Sequence, residues 1–137
     1  MTTSPLAQLT GTLKVLVHPA RLRLLAMLRS GGLCVCQAAA ALGSPVSTVS
    51  EHLAELKRAG LAVDHRDGRW VTYSLAPAPE ARALLEHIWG LIGGDAVVRL
   101  DVGIVRKLRR VSRTDLREAG TPGGSAWSGR HPERRGR

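Results

Sequence analysis

The sequence predicts a mainly α-helical fold with a β-hairpin wing, a winged helix-turn-helix, and three observations carry that prediction. Apolar residues recur at three- and four-residue spacing through most of the first 111 positions. A short alanine-rich segment, a Gly43-Ser44-Pro45 turn and a longer amphipathic segment follow one another between residues 37 and 60. Two alternating segments then flank Asp67-Gly68, a dipeptide typical of a tight hairpin turn.

Taken in order, Leu6, Leu9, Leu13 and Leu16 put one apolar stripe on a first helix, which needs a surface to lie against. Pro19 suits the first turn of a second helix that buries Leu22, Leu25, Ala26 and Leu28 and stops at Gly31-Gly32. A third helix is expected over 37–42 and a fourth over 46–59, closed by Gly60. In the fourth, Val46, Val49, Leu53 and Leu56 share one face, while Ser47, Thr48, Ser50, Glu51, Lys57 and Arg58 occupy the other. A short helix, a tight turn and a second helix with a small polar N-terminal face is the arrangement that sets a recognition helix in the DNA major groove.

Strands over 61–66 and 69–75 form the wing, whose tip carries His65, Arg66 and Arg69 where a flanking phosphate or minor groove would lie. A helix over 80–92 then buries Leu84, Leu85, Ile88, Trp89 and Ile92. Gly93-Gly94 breaks it, and Asp95 caps a last helix that buries Val97, Leu100, Ile104 and Leu108. From residue 112 onward Gly, Ser, Pro and Arg dominate, which predicts a disordered tail over 112–137 after a DNA-binding and dimerisation domain over 1–111.

The chain has 137 residues, enough for one domain, and carries a net charge of +9. The tail holds +3 of that charge and the rest +6, so the excess belongs to the folded part as well, and a nucleic-acid partner is favoured. No apolar run approaches the roughly 20 residues of a membrane span, no signal-peptide pattern is read at the start, and two cysteines one residue apart make no disulfide framework. No membrane association is expected, and a reducing cytoplasm is the simplest setting.

Those cysteines, Cys34 and Cys36, are the only two in the chain and fall directly before the helix-turn-helix. Two thiols at this spacing suit one soft metal or metalloid ion, and a position at a helix start is expected to lower a thiol pKa through unpaired N–H groups and the helix dipole. Residues i and i+2 of a regular helix point about 200° apart, so chelation is expected to pull the start of the third helix out of helical geometry. Two other readings stay open: small buried hydrophobes, and a redox dithiol, for which a bond between residues two apart is strained.

His18-Pro-Ala-Arg-Leu-Arg-Leu-Leu, Leu33-Cys-Val-Cys, Ser47-Thr-Val-Ser-Glu-His-Leu, Leu56-Lys-Arg-Ala-Gly-Leu and Asp67-Gly-Arg-Trp-Val-Thr-Tyr-Ser-Leu together resemble the ArsR/SmtB family of metal-responsive repressors, in its arsenite-sensing branch. The resemblance covers about residues 9–110. It implies a homodimer joined through its first and C-terminal helices, bound to operator DNA and released by As(III) or Sb(III) as inducer. The family's arsenite motif often carries a third cysteine where this chain has Ala39, which leaves the third position to hydroxide, a cellular thiol or a group from the partner subunit. The zinc-sensing pattern of the family is absent around Glu86, His87, Asp95 and Asp101, so His87 reads as surface or packing.

The candidate metal ligands are therefore Cys34 and Cys36, and the candidate DNA-binding residues are Ser47, Thr48, Ser50, Glu51, His52, Arg66 and Arg69. Ser47, Thr48 and Ser50 are either helix-start residues or base contacts, and their place on the exposed first turn favours contact. Glu51 either accepts from cytosine or is solvated. His52 either holds the recognition helix or touches the backbone, and Lys57 and Arg58 reach phosphate or nothing. The alternative inducer classes are thiol oxidation and soft divalent ions such as Cd(II) or Pb(II). An enzyme is not expected, because no histidine is placed as base beside either cysteine.

Overall fold

Ser4 begins the fold: its hydroxyl accepts from the Ala7 N–H at 3.1 Å, just ahead of a proline whose fixed φ suits a first helical turn. In this computed structural model, which describes residues 4–111 and 115–116, nine elements follow. They are α1 (Pro5–Leu16), α2 (Pro19–Leu28), β1 (Leu33–Cys34), α3 (Val35–Leu42), α4 (Val46–Arg58), β2 (Ala62–Asp67), β3 (Trp70–Leu75), α5 (Pro79–Ile92) and α6 (Ala96–Leu108). The expected mainly helical winged helix-turn-helix is present, with α3 and α4 as its two helices and the β2–β3 hairpin as its wing.

The turn between α3 and α4 is made by Gly43, whose φ of 73° lies in the left-handed region that a side chain disfavours. Its N–H bonds the Ala39 carbonyl at 2.9 Å, which closes α3 and lets α4 start three residues later. Val49, Leu53 and Leu56 of α4 then enter a core with Leu24, Leu25 and Met27 of α2. Val46 does not join them; at the first turn it stays 43% exposed.

Three features depart from the sequence expectations. The sheet has three strands in the order β1-β3-β2, because Leu33 and Cys34 pair antiparallel with Tyr73 and Thr72. The hairpin ladder runs to the pair Asp67–Trp70, so the two-residue loop is Gly68-Arg69, one residue later than Asp67-Gly68, and Arg69 sits on the tip itself. The inward face of α6 is Val98, Asp101, Ile104, Val105 and Leu108, whereas Val97 and Leu100 stay more than a third exposed. The reason is electrostatic: Asp101 is fully buried and forked onto Arg23 of α2 at 2.8 and 2.9 Å, which sets the rotation of α6.

Arg109, just past α6, donates to the carbonyls of Gly31 and Gly32 and to the Ser30 hydroxyl at 2.8–3.2 Å. The end of α6 thus holds the turn that leads into β1. On α1, Leu16 is buried, while Leu6, Leu9 and Leu13 are at least half exposed in the single subunit. The expected disordered tail, 112–137, lies outside the described residues except for Asp115 and Leu116, which are helical, with Leu116 buried in the core.

Candidate functional site

Cys34 and Cys36 straddle the junction of β1 and α3. Cys34 has extended backbone (φ −75°, ψ 159°) and caps α3, and Cys36 lies in the helix's first turn. A strand residue followed by a helical one brings together side chains that a continuous helix would turn apart, and the two thiols are in hydrogen-bond contact. The expected unwinding of α3 is therefore unnecessary for the pair to meet. Gln37 fixes the junction: its Oε1 accepts from the Cys34 N–H at 2.9 Å, one arm of a capping box. Both cysteines are thiols and both are buried.

The expected lowering of the thiol pKa fails for Cys36. Its hydrogen bond to Cys34, its burial and its electrostatic coupling to Cys34, in that order, push the thiol well up, and the backbone N–H groups of Gln37 and Cys36 offset only part of this. Cys36 keeps its proton at neutral pH.

A cleft of about 250 Å³ opens beside the pair, lined by Cys34, Val35 and Cys36 on one side, Val46 and Ser50 of α4 on another, and Arg69, Trp70 and Val71 of the wing on the third. The thiols thus share one cavity with both α4 and the wing. They are also joined to them through the chain, since Cys34 is hydrogen-bonded into the wing strand β3 and its helix α3 packs on α4.

The other sequence-selected residues fall as follows. Ser47, Thr48, Ser50 and Glu51 are all exposed on the N-terminal half of α4, Arg66 and Arg69 are exposed on the wing, and Ser50 and Arg69 line the same cleft. Arg69 stacks its guanidinium 5.1 Å above the Trp70 ring. His52 is half-buried and engaged: its Nδ1 accepts from Arg21 Nε at 3.1 Å, and its ring lies 6.4 Å from that of His18. Burial first, then Arg21 and His18, hold the His52 pKa down. Lys57 pairs with Asp64 of β2 at 3.0 Å and Arg58 with Glu55, so both spend their charge within the protein. His87 is exposed, and Trp89 packs between the terminal helices and α2, where Arg29 lies 4.8 Å from its ring.

Sequence reasoning passed over three positioning residues: Arg21, Gln37 and Arg109. Gln37 had a signal, since a capping residue followed three positions later by Gln has capping-box spacing. Arg21 and Arg109 act across 31 and 77 residues of chain, respectively, and left no local signal.

A two-helix reader, a basic wing and a thiol pair between them define a winged-helix DNA-binding regulator. Residues 18–63 match the family described as bacterial regulatory protein, arsR family. The HTH-type transcriptional regulator NmtR of Mycobacterium tuberculosis is 42% identical over 83 residues, covering 61% of this chain and 69% of that one. The arsenical resistance operon repressor of Escherichia coli is 37% identical over 79 residues, 56% of this chain and 68% of the relative. Among solved structures, the homodimeric winged helix-turn-helix DNA-binding domain Mb0332 of Mycobacterium bovis superposes with a TM-score of 0.58 at 28% identity, covering 64% of this chain and 81% of that one. The chain belongs to the ArsR/SmtB family of DNA-binding transcriptional regulators. No helix among the described residues is long and apolar enough to cross a membrane.

Proposed function

We propose that this protein is a homodimeric, cytoplasmic repressor that leaves its operator when Cys34 and Cys36 bind trivalent arsenic or antimony. The observation that carries this reading is the shared cavity: an ion held by the two sulfurs sits against the first turn of α4 and the tip end of the wing at once. Ser47, Thr48, Ser50 and Glu51 read base edges, and Arg66 and Arg69 hold flanking phosphate. His52 acts as a positioning residue that ties α4 to α2 through Arg21. Filling the cleft changes the spacing of α4 and wing, so the ion-bound and DNA-bound shapes exclude one another.

Two soft thiols lining one cleft suit a metalloid such as trivalent arsenic, whose hydroxides exchange for thiols with release of water. Similarity to an arsenical resistance repressor points the same way.

For the dimer, the exposed Leu6, Leu9 and Leu13 on α1, Val17 just past its end and the exposed Leu91 of α5 supply the apolar surface. A groove of about 640 Å³ between α1, the end of α4 and α5, lined by Leu9, Thr12, Ala59, Ala81 and Leu84, continues it. The test is a titration of arsenite into reduced protein, followed by near-ultraviolet sulfur–arsenic absorption. One ion per subunit is expected, with the signal lost in Cys34→Ser and in Cys36→Ser. A signal that persists in either variant would remove the pair as the site.

A further inference from the structure

Two sulfurs leave trivalent arsenic one donor short of the three thiolates it favours, and the chain contains no cysteine besides Cys34 and Cys36. Among the described residues no group of three or more His, Cys, Asp or Glu side chains gathers into a metal site. Beside the pair, one coordination position is thus left to a donor that the cleft can admit. Resting on the arsenic reading above, the cleft itself indicates what that donor is.

Its volume of about 250 Å³ equals roughly eight waters at liquid density, room for the arsenic and a small organic molecule. Val35, Val46, Trp70 and Val71 wall it with apolar surface, which suits a short carbon chain. Arg69 lines the same cleft. Among the described residues it pairs with no carboxylate; the ion pairs there are Arg23–Asp101, Lys57–Asp64 and Arg58–Glu55. Its Cζ lies 5.1 Å from the centre of the Trp70 ring, which puts the guanidinium beside the cavity with N–H groups able to take an anion.

We propose that the third ligand is a small thiol bearing a carboxylate, its sulfur on the arsenic held by Cys34 and Cys36 and its carboxylate forked onto Arg69. The chemistry balances without redox. Three As–O bonds of arsenous acid break, three As–S bonds form, and the three thiol protons leave with the three hydroxyls as water. The arrangement also makes Arg69 a contested residue: the carboxylate of the bound thiol takes the guanidinium that a DNA phosphate would otherwise hold, so the co-ligand adds to release by direct competition as well as by filling the cleft.

The experiment uses full-length protein without DNA, kept reduced by a phosphine, and measures apparent arsenite affinity by sulfur–arsenic absorption. It is run with mercaptoacetate or with 2-mercaptoethanol at equal concentration, on native protein and on Arg69→Met. Taking the ratio between thiols in each protein and comparing the two ratios cancels the binding of arsenic by free thiol. The native protein is expected to favour mercaptoacetate by about fivefold relative to Arg69→Met, the scale of an exposed, well-oriented charge pair, and Arg69→Lys is expected to keep part of the preference. Equal ratios in native and Arg69→Met protein would overturn the proposal, as would a native affinity unchanged by adding either thiol, which assigns the third position to hydroxide or the partner subunit. Absence of any sulfur–arsenic signal in the native protein would instead remove the arsenic reading itself, and the co-ligand with it.

Discussion

Replacing Asp101 with asparagine is expected to cost more stability than any other single change of one atom in the described fold. The native carboxylate is fully buried and takes two hydrogen bonds from Arg23, at 2.8 and 2.9 Å, across the contact of α2 with α6. Asparagine keeps the shape but removes the charge and turns an NH₂ toward the guanidinium. Breaking a buried pair from one side costs about 3–5 kcal/mol, and because the Arg23 side chain is 17% exposed and keeps some hydration, the lower end applies, about 3 kcal/mol. At roughly 4 °C per kcal/mol for a domain near 100 residues, Tm should fall by about 12 °C. Thermal unfolding by circular dichroism at one fixed protein concentration measures it, since a dimer's Tm depends on concentration. The double change Arg23→Met with Asp101→Leu should recover most of the loss, because an apolar pair of similar volume removes both buried charges. A loss below about 1 kcal/mol in Asp101→Asn would refute the reasoning, placing the pair with surface ion pairs that solvent already screens.

Further outcomes follow from the same geometry. Thr48→Ala should lower operator preference more than nonspecific DNA affinity, whereas Arg69→Ala should weaken both and reduce the salt slope of binding by up to about one unit, read by anisotropy at several salt concentrations. Equal effects would mean that α4 does not read bases. Leu9→Asp with Leu13→Asp, on the exposed stripe of α1, should leave a folded subunit but convert dimer to monomer in sedimentation; a persistent dimer would remove α1 from the interface. Because the folded state holds the His52 pKa below 6.5, the unfolded chain takes up that proton first as pH falls. The His52 contribution to stability is complete above about pH 6.5 and is lost as the pH falls below it, so a plot of Tm against pH over about 5 to 7 should be flatter in His52→Gln than in the native chain. An unchanged slope would refute it.

Much of this fold is legible in the sequence because its helices are amphipathic and its breaks are marked by Gly, Pro or a capping residue. Gly43 and Gly60 bound the recognition helix, and the spacing of Val49, Leu53 and Leu56 sets its buried face. What is not legible depends on partners distant in the chain. The strand β1 is two residues long, too short for any periodicity, and exists because Leu33 and Cys34 find Tyr73 and Thr72 about forty residues on. The inward face of α6 is only partly legible from hydrophobicity: Ile104 and Leu108 are buried as expected, but Asp101, as buried as Leu108, is charged and meets Arg23 far away in the chain. The cysteine pair is found by composition, but the direction of the Cys36 pKa shift is misjudged. A helix start alone lowers a thiol pKa, yet here a neighbouring thiol and burial win. The residues proposed to face DNA are polar positions on one helix and one hairpin, while the cavity that joins two of them, Ser50 and Arg69, to the thiols appears only in three dimensions.

The central claim is that an ion on Cys34 and Cys36 and operator DNA on α4 and the wing oppose one another. An operator-binding titration with and without arsenite, under full reduction, on native protein and on Cys34→Ser with Cys36→Ser, tests it most directly. The native protein is predicted to lose operator affinity by a factor typically of about 5 to 150, and operator DNA to weaken arsenite binding by the same factor. The double serine variant is predicted to bind operator as the native protein does and to stay bound when arsenite is added, because a hydroxyl is a poor ligand for a soft ion. Native protein that remains on DNA at saturating arsenite, or a double serine variant that still releases, would contradict the account.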